Sequence, residues 1–291
     1  MTELYYFALS FFVYGFLGWC TEVAYAAAKQ GKFVNRGFLN GPICPVYGIG
    51  VGVVVQFLTP VENNLVLLYI SSTILVTVIE GITGFLLEKI FHNKWWDYSE
   101  QPLNIGGYVC VLFSLIWGVF CVLIVKIIHP LIYKVLTMIP LVLGIVVMAC
   151  LAVGLLADLY VTASGILKMN RRLEAMEKIA AELKELSDKV GENIYENVME
   201  GMEFREEKKA RIEELKAKYE EMAENRTKVG ERLVKAFPKM QVGQHKEIFE
   251  ELRERMDREH IRVFVIDASL GLCGFVLAQE VELQCQSPLI K

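Results

Sequence analysis

Long apolar runs constrain this chain more than any other feature. A helix that crosses a bilayer needs about 20 mostly apolar residues, and backbone at that depth must have its hydrogen bonds satisfied by protein. Five stretches approach the requirement: 4–28, 45–58, 65–91, 105–128 and 135–161. The second is short for a full span. Up to residue 164 there are only seven Lys or Arg and eight Asp or Glu, whereas 165–260 carries 21 basic and 23 acidic residues. The expected fold is all-α, in three parts: a polytopic membrane helix bundle over 1–164, a charged cytoplasmic helical domain over 165–260, and a C-terminal tail over 261–291.

Orientation follows from basic residues in the connections. Loop one carries Lys29, Lys32 and Arg36, and loop three carries Lys89 and Lys94. Loop two, TPVENN, has none, while a fourth connection with Lys126 and Lys134 argues the other way. The majority places the N-terminus outside and the charged helices in the cytoplasm of a bacterial cell, with the plasma membrane as the location. A net charge of −4 gives no reason to expect a nucleic-acid partner.

Beyond residue 165, apolar residues recur three and four apart. Met169, Leu173, Met176, Ala180, Leu183, Val190, Ile194 and Val198 form one run, and Ile212, Leu215, Tyr219, Met222, Val229 and Leu233 another. Gly191 and Gly201 fall between them and mark a break. The pattern predicts a helical hairpin or an intermolecular coiled coil, which would make the chain a homo-oligomer or a docking arm for a cytoplasmic protein. A short helix is expected over 246–258. The apolar stretch 261–278 fits a sixth span or a strand equally well.

Charges inside the apolar runs are costly, about 2.5–3.5 kcal/mol each on insertion scales, and persist where they pair or work. Glu22, Glu80, Glu88 and Asp158 are such residues. At 1.5 Å per residue, Glu22 lies roughly 9 Å from the inner end of its span and Glu80 roughly 16 Å from its own. Tyr14, Gly18 and Glu22 share one face of the first span, and Glu80 shares a hemisphere with Gly84 and Glu88. Small residues let helices approach closely in lipid, so these faces are expected to pack on each other.

The connection NRGFLNGPICPVYG, residues 35–48, is bent by glycines and prolines yet stays apolar. Irregular backbone of that kind is tolerated at membrane depth only where protein or a wet cavity surrounds it. It is expected to dip into the bilayer and carry Asn35 and Arg36 toward Glu22 and Glu80, with Arg36 as counter-charge or head-group binder. Loop three, FHNKWWDYSEQPLNIGG, sets Trp96, Asp97 and Asn104 beside an aromatic belt on the same side. The candidate substrate-binding set is therefore Glu22, Asn35, Arg36, Glu80, Glu88, Trp96, Asp97 and Asn104.

YGFLGWCTEVAY, NRGFLNGPICPVYG, LLEKIFHNKWWDYSEQPLNIGG and the later His129–Pro130 pair, in that order, carry a resemblance. Over roughly residues 1–165 the chain resembles the type IV ABC-transporter permease family of bacterial polytopic membrane proteins. The resemblance implies an integral membrane protein of permease type. Because the chain has no GxxxxGK[ST] phosphate loop, ATP hydrolysis would come from a separate ATPase subunit.

Three functions remain open. A transport subunit would use intramembrane acids beneath a broken-backbone loop. A membrane-embedded enzyme acting on a lipid would use Glu80 or Glu88 as general base, with Arg36 on a phosphate and Asp97 or His92 assisting. A structural or regulatory membrane protein would recruit a partner through its cytoplasmic helices. The absence of HExxH and GxSxG patterns argues against zinc and serine chemistry, and no cofactor is expected.

Overall fold

The computed structural model describes residues 2–196, 202–243 and 245–258. Residues up to His245 belong to one compact unit, and a second unit begins at Lys246. In the first unit the helices are α1 (Thr2–Gln30), α2 (Pro45–Leu58), α3 (Leu65–Phe91), α4 (Val111–Leu123), α5 (His129–Thr137), α6 (Leu141–Glu196), α7 (Met202–Glu224) and α8 (Lys228–Ala236). Four two-residue strands pair antiparallel: β1 (Asn93–Lys94) with β4 (Gln241–Val242), and β2 (Asn104–Ile105) with β3 (Val109–Cys110). A helix over 246–258 constitutes the described part of the second unit, laced by Arg253–Glu250 and Arg255–Glu251 ion pairs.

Among the described residues, four helical stretches are long and apolar enough to cross a membrane: Glu3–Gln30, Leu65–Phe91, Val111–Thr137 and Leu141–Lys189. The chain is thus an all-α polytopic bundle. The short apolar segment Pro45–Val61 has a specific geometric cause. A Cβ added at Gly48 would lie 2.6 Å from the Phe11 carbonyl oxygen, and one at Gly52 would lie 3.1 Å from the Phe7 ring. The Cys44 amide donates to the Gly15 carbonyl at 2.9 Å. Helix α2 therefore runs antiparallel to the first half of α1 only. It starts level with Gly15, about 22 Å before the end of α1 at 1.5 Å per residue. Beside the second half of α1 lies the connection 31–44 in place of helix.

Threonine hydroxyls within α3 are satisfied by the helix's own carbonyls, as an apolar solvent demands. Thr73, Thr77 and Thr83 hydroxyls donate to the carbonyls of Tyr69, Thr73 and Ile79. Asn64 caps the start by accepting from the Leu67 amide at 3.1 Å, and His92 closes the end in a left-handed conformation, φ 57°. Val54, Leu68, Cys121 and Val125 form one buried cluster between α2, α3 and the stretch Val111–Thr137. Tyr5, Leu9 and Leu136 form another between α1 and α5.

The expected break over 129–134 is helix instead. A π-helical turn, Ile124–Ile128, joins α4 to α5, and Pro130 follows it at the start of α5. Proline lacks an amide donor and its ring crowds the preceding turn; the wide turn makes room for both defects, so the helix continues to Thr137. Lys126 and Lys134 consequently lie on the helical stretch Val111–Thr137, and the connection to α6 shrinks to 138–140.

Helix α6 is a single rod of 56 residues, about 84 Å long, uninterrupted at residue 164 and at Gly191. Its first half is apolar and largely exposed, as a lipid-facing surface would be, and its second half is charged. Against that second half α7 packs antiparallel, with Arg211 paired to Glu182 at 3.0 Å and Arg172 donating to the Asn225 carbonyl at 2.6 Å. Leu173, Met176 and Leu215 are buried in the hairpin unit. The predicted break at Gly201, Val198 of the predicted run, and the stretch 261–278 lie outside the described residues.

Candidate functional site

The connection 31–44 shows how irregular backbone survives beside apolar helices. Between residues 37 and 41 its amides and carbonyls are gripped by three side chains. Asn35 accepts from the Gly37 amide at 3.0 Å and from the Trp19 indole at 2.7 Å, and its own amide donates to the Asn40 carbonyl at 2.8 Å. The Asp158 carboxylate of α6 accepts the amides of Asn40 and Gly41 at 3.0 and 2.6 Å, and the Asn40 side chain at 2.8 Å. Arg232 of α8 donates to the carbonyls of Gly37 and Phe38 at 2.7 and 2.8 Å and to the Asn40 side-chain oxygen at 3.0 Å. Donors are thus taken by an acid and acceptors by a base, from two elements distant in sequence.

Held this way, the connection delivers Arg36 to α1. Its Nε lies 3.4 Å from Glu22 Oε2, and its guanidinium also stacks over the Tyr25 ring at 5.6 Å. The other oxygen of Glu22 accepts from the Tyr47 hydroxyl at 2.6 Å. Tyr47 belongs to the first turn of α2 and fills the space left by Gly18: a Cβ there would sit 2.3 Å from the Tyr47 ring. The glycine four residues before Glu22 is therefore what admits its hydroxyl partner. Trp117 of α4 packs edge-on to Tyr47, with centroids 5.6 Å apart.

Loop three closes the cluster. The Tyr98 hydroxyl lies within electrostatic reach of the Glu80 carboxyl of α3 and of Glu22 of α1. Burial first, then Glu80, then Glu22, push the Tyr98 phenol well above its ordinary pKa. Its ring rests on Phe113 at 5.4 Å between centroids.

The remaining candidates are placed elsewhere. Glu88 pairs with Tyr108, whose phenol it raises by hydrogen bonding, with burial adding to the effect. The Trp96 indole donates to the Tyr108 carbonyl at 2.9 Å and lies over Gly84. Asp97 accepts from Lys94 at 2.8 Å and from the Ser99 hydroxyl and amide at 2.6 and 3.1 Å. Burial alone would raise its carboxyl, but these hydrogen bonds and the Lys94 charge outweigh it and hold the pKa down to about 2. Asn104 donates to the carbonyls of Ser99 and Gln101 and accepts from the Gly107 amide. Trp96, Asp97 and Asn104 thus fix the shape of loop three, while Glu22, Arg36 and Glu80 belong to the cluster around Tyr47 and Tyr98. Asn35 acts on the loop backbone behind Arg36.

Four described helices long and apolar enough to cross a membrane fit a membrane protein of the transport-related kind. The chain belongs to the family described as Putative ABC-transporter type IV, whose model matches residues 9–163. That stretch contains Glu22, Arg36, Tyr47, Glu80, Tyr98 and Asp158. No curated protein and no solved structure matches the chain.

Sequence reading passed over Tyr47, Tyr98, Asn40 and Arg232 as partners of the site, and placed no weight on Asp158. Tyr47 had a signal: it is the bulky residue nearest the start of a helix that must face a glycine-bearing stretch of α1. Asn40 also had one, since an Asn-Gly pair marks a tight bend whose amides need an acceptor. Arg232 had none, being one cation among many in a charged region.

Proposed function

We propose that the chain is the membrane subunit of a transporter, with Glu22, Arg36, Tyr47, Glu80 and Tyr98 forming a polar intramembrane site that opens toward the cytoplasm. The observation that carries this reading is the Glu22 carboxylate of α1 held between Arg36 of the irregular connection at 3.4 Å and the Tyr47 hydroxyl of α2 at 2.6 Å, with Glu80 of α3 a second acid within electrostatic reach of the same group of phenols. Acids in a bilayer are retained where they serve a pathway, and discontinuous helices border such sites in transporters. Helix α2, which begins halfway along α1, is a discontinuity of that type. Arg36 balances Glu22, which leaves Glu80 as the acid free to exchange its phenol partner for a solute or a proton. Energy would come from a separate ATPase subunit, since this chain has no phosphate loop of its own.

The reading is tested by reconstitution in proteoliposomes with a pH-sensitive dye and a panel of labelled solutes. Wild-type protein moves a solute or protons, and Glu22→Gln and Glu80→Gln variants that still elute as folded monodisperse protein do not. Equal flux through wild type and both variants overturns the site assignment.

A further inference from the structure

The segment from Thr227 to Gly243 touches both loops that build the proposed site. It starts with a capped helix, Thr227 accepting from the Gly230 amide at 3.1 Å. Val229 of α8 then fits against Gly165 of α6, where an added Cβ would lie 2.7 Å away. Arg232, one turn on, makes the three bonds to Gly37, Phe38 and Asn40 described above. Phe237 packs edge-on to the buried ring of Trp95, centroids 5.3 Å apart, and Trp95 in turn meets Phe38 at 5.1 Å. Strand β4 pairs with β1, Val242 opposite Asn93, and Gln241 donates to Asp97 at 3.2 Å. One short segment therefore binds the loop that carries Arg36 and the loop that carries Tyr98.

We propose that residues 227–243 form a latch over the site: docked, the segment locks both loops in the closed arrangement, and released, it lets loop one leave Glu22. The contact suits reversible closure. Its core is a planar guanidinium reading three oxygens at fixed spacing, a geometry that lysine does not reproduce. Arg232 and Asp158 do not touch each other in this arrangement but meet through Asn40, which accepts from one and donates to the other. Breaking the Arg232 bonds leaves two loop carbonyls without partners, so the loop loses its closed shape rather than relaxing slightly. The regulatory meaning rests on the transport reading, while the latch itself stands on geometry alone.

Cys44 reports on the latch directly. It is 6% exposed and closes the same connection whose Gly37 and Phe38 carbonyls Arg232 holds, its amide donating to the Gly15 carbonyl of α1 at 2.9 Å. A Cys44-only full-length protein, with Cys20, Cys110, Cys121, Cys150, Cys273 and Cys285 replaced by Ala, is labelled with N-ethylmaleimide in lipid nanodiscs. Arg232→Ala should speed labelling about tenfold or more, Arg232→Lys by a smaller factor, and Lys235→Ala, on the exposed face of the same helix, should leave the rate unchanged. Equal labelling of Arg232→Ala and the parent overturns the latch, as does acceleration by Lys235→Ala, which would mean general loosening. If Arg232→Ala does not yield folded protein, Arg232→Lys carries the same comparison. Faster labelling with unchanged solute flux would keep the latch and defeat the transport reading of the site.

Discussion

Substituting Gly18 by Ala tests the packing that brings Tyr47 to Glu22. The new Cβ would lie 2.3 Å from Tyr47 Cγ and 2.4 Å from Tyr47 Cβ. These atoms are at the root of the side chain, so no rotamer change relieves the clash. Ordinary contact begins near 3.4 Å, which requires α1 and α2 to separate by about 1 Å at this level. Overpacking of this kind costs about 1–3 kcal/mol. The same displacement strains the 2.6 Å bond from Tyr47 to Glu22, and losing a hydrogen bond to a charged group adds about 1.5–3 kcal/mol. Gly154→Ala is the reference, because an added Cβ there meets nothing within 4 Å. Removing a glycine from that helix interior should be neutral or stabilising by up to about 1 kcal/mol. Thermal unfolding in detergent, followed by intrinsic fluorescence and size exclusion, should place Gly18→Ala about 5–10 °C below wild type. Adding Tyr47→Ala to Gly18→Ala should cost much less than the sum of the two single changes, since the clash disappears with the ring. Gly18→Ala melting together with Gly154→Ala would refute the close approach of α1 and α2.

Other consequences follow from individual contacts. Asn64→Ala removes the cap on α3 and should destabilise the protein by about 1 kcal/mol in the same melting assay, with no change at the site. Asp97 is held at about 2, below an unfolded value of about 3.9, so the stabilisation it gives is complete above pH 4 and is lost as pH falls from 4 toward 2. Melting curves between pH 2 and 5 should show that loss in wild type and a flatter profile in Asp97→Asn. Asp158→Ala strips the acceptor from the amides of Asn40 and Gly41, so hydrogen exchange in peptides covering 37–43 should rise while peptides covering 104–110 keep their rates. Unchanged exchange over 37–43 would mean that Asp158 does not hold the loop.

What the sequence revealed was what local pattern encodes. Apolar length pointed to the spans, and apolar residues recurring three and four apart pointed to the hairpin, because both depend on residues close in sequence. The approach of Arg36 to Glu22 was also legible, since a cation in a bent apolar loop has few other places to go. The continuation of the stretch Val111–Thr137 past Pro130 was not, because a π turn is a cooperative backbone adjustment with no residue signature. Nor was the role of Asp158: judged by depth alone it could reach water, whereas the loop amides of Asn40 and Gly41 come to it. The separation of Glu88 from Glu80 lay beyond helical-wheel reasoning, which put both in one hemisphere. Which phenol each acid meets, Tyr98 or Tyr108, is decided by the fold of loop three. Arg232 stands more than 190 positions from the carbonyls it binds, and no pattern in a charged helix singles it out.

If Glu22 and Glu80 share one site, the phenol of Tyr98 should respond to both. A fluorinated tyrosine placed at residue 98, with its phenol brought into an accessible titration range, can be followed by fluorine NMR in nanodiscs. Its pKa should fall in Glu80→Gln, fall by a smaller amount in Glu22→Gln, and stay unchanged in Glu88→Gln. A phenol at residue 98 that is indifferent to Glu22→Gln would show that the two carboxyls belong to separate places, and the proposed site would not exist.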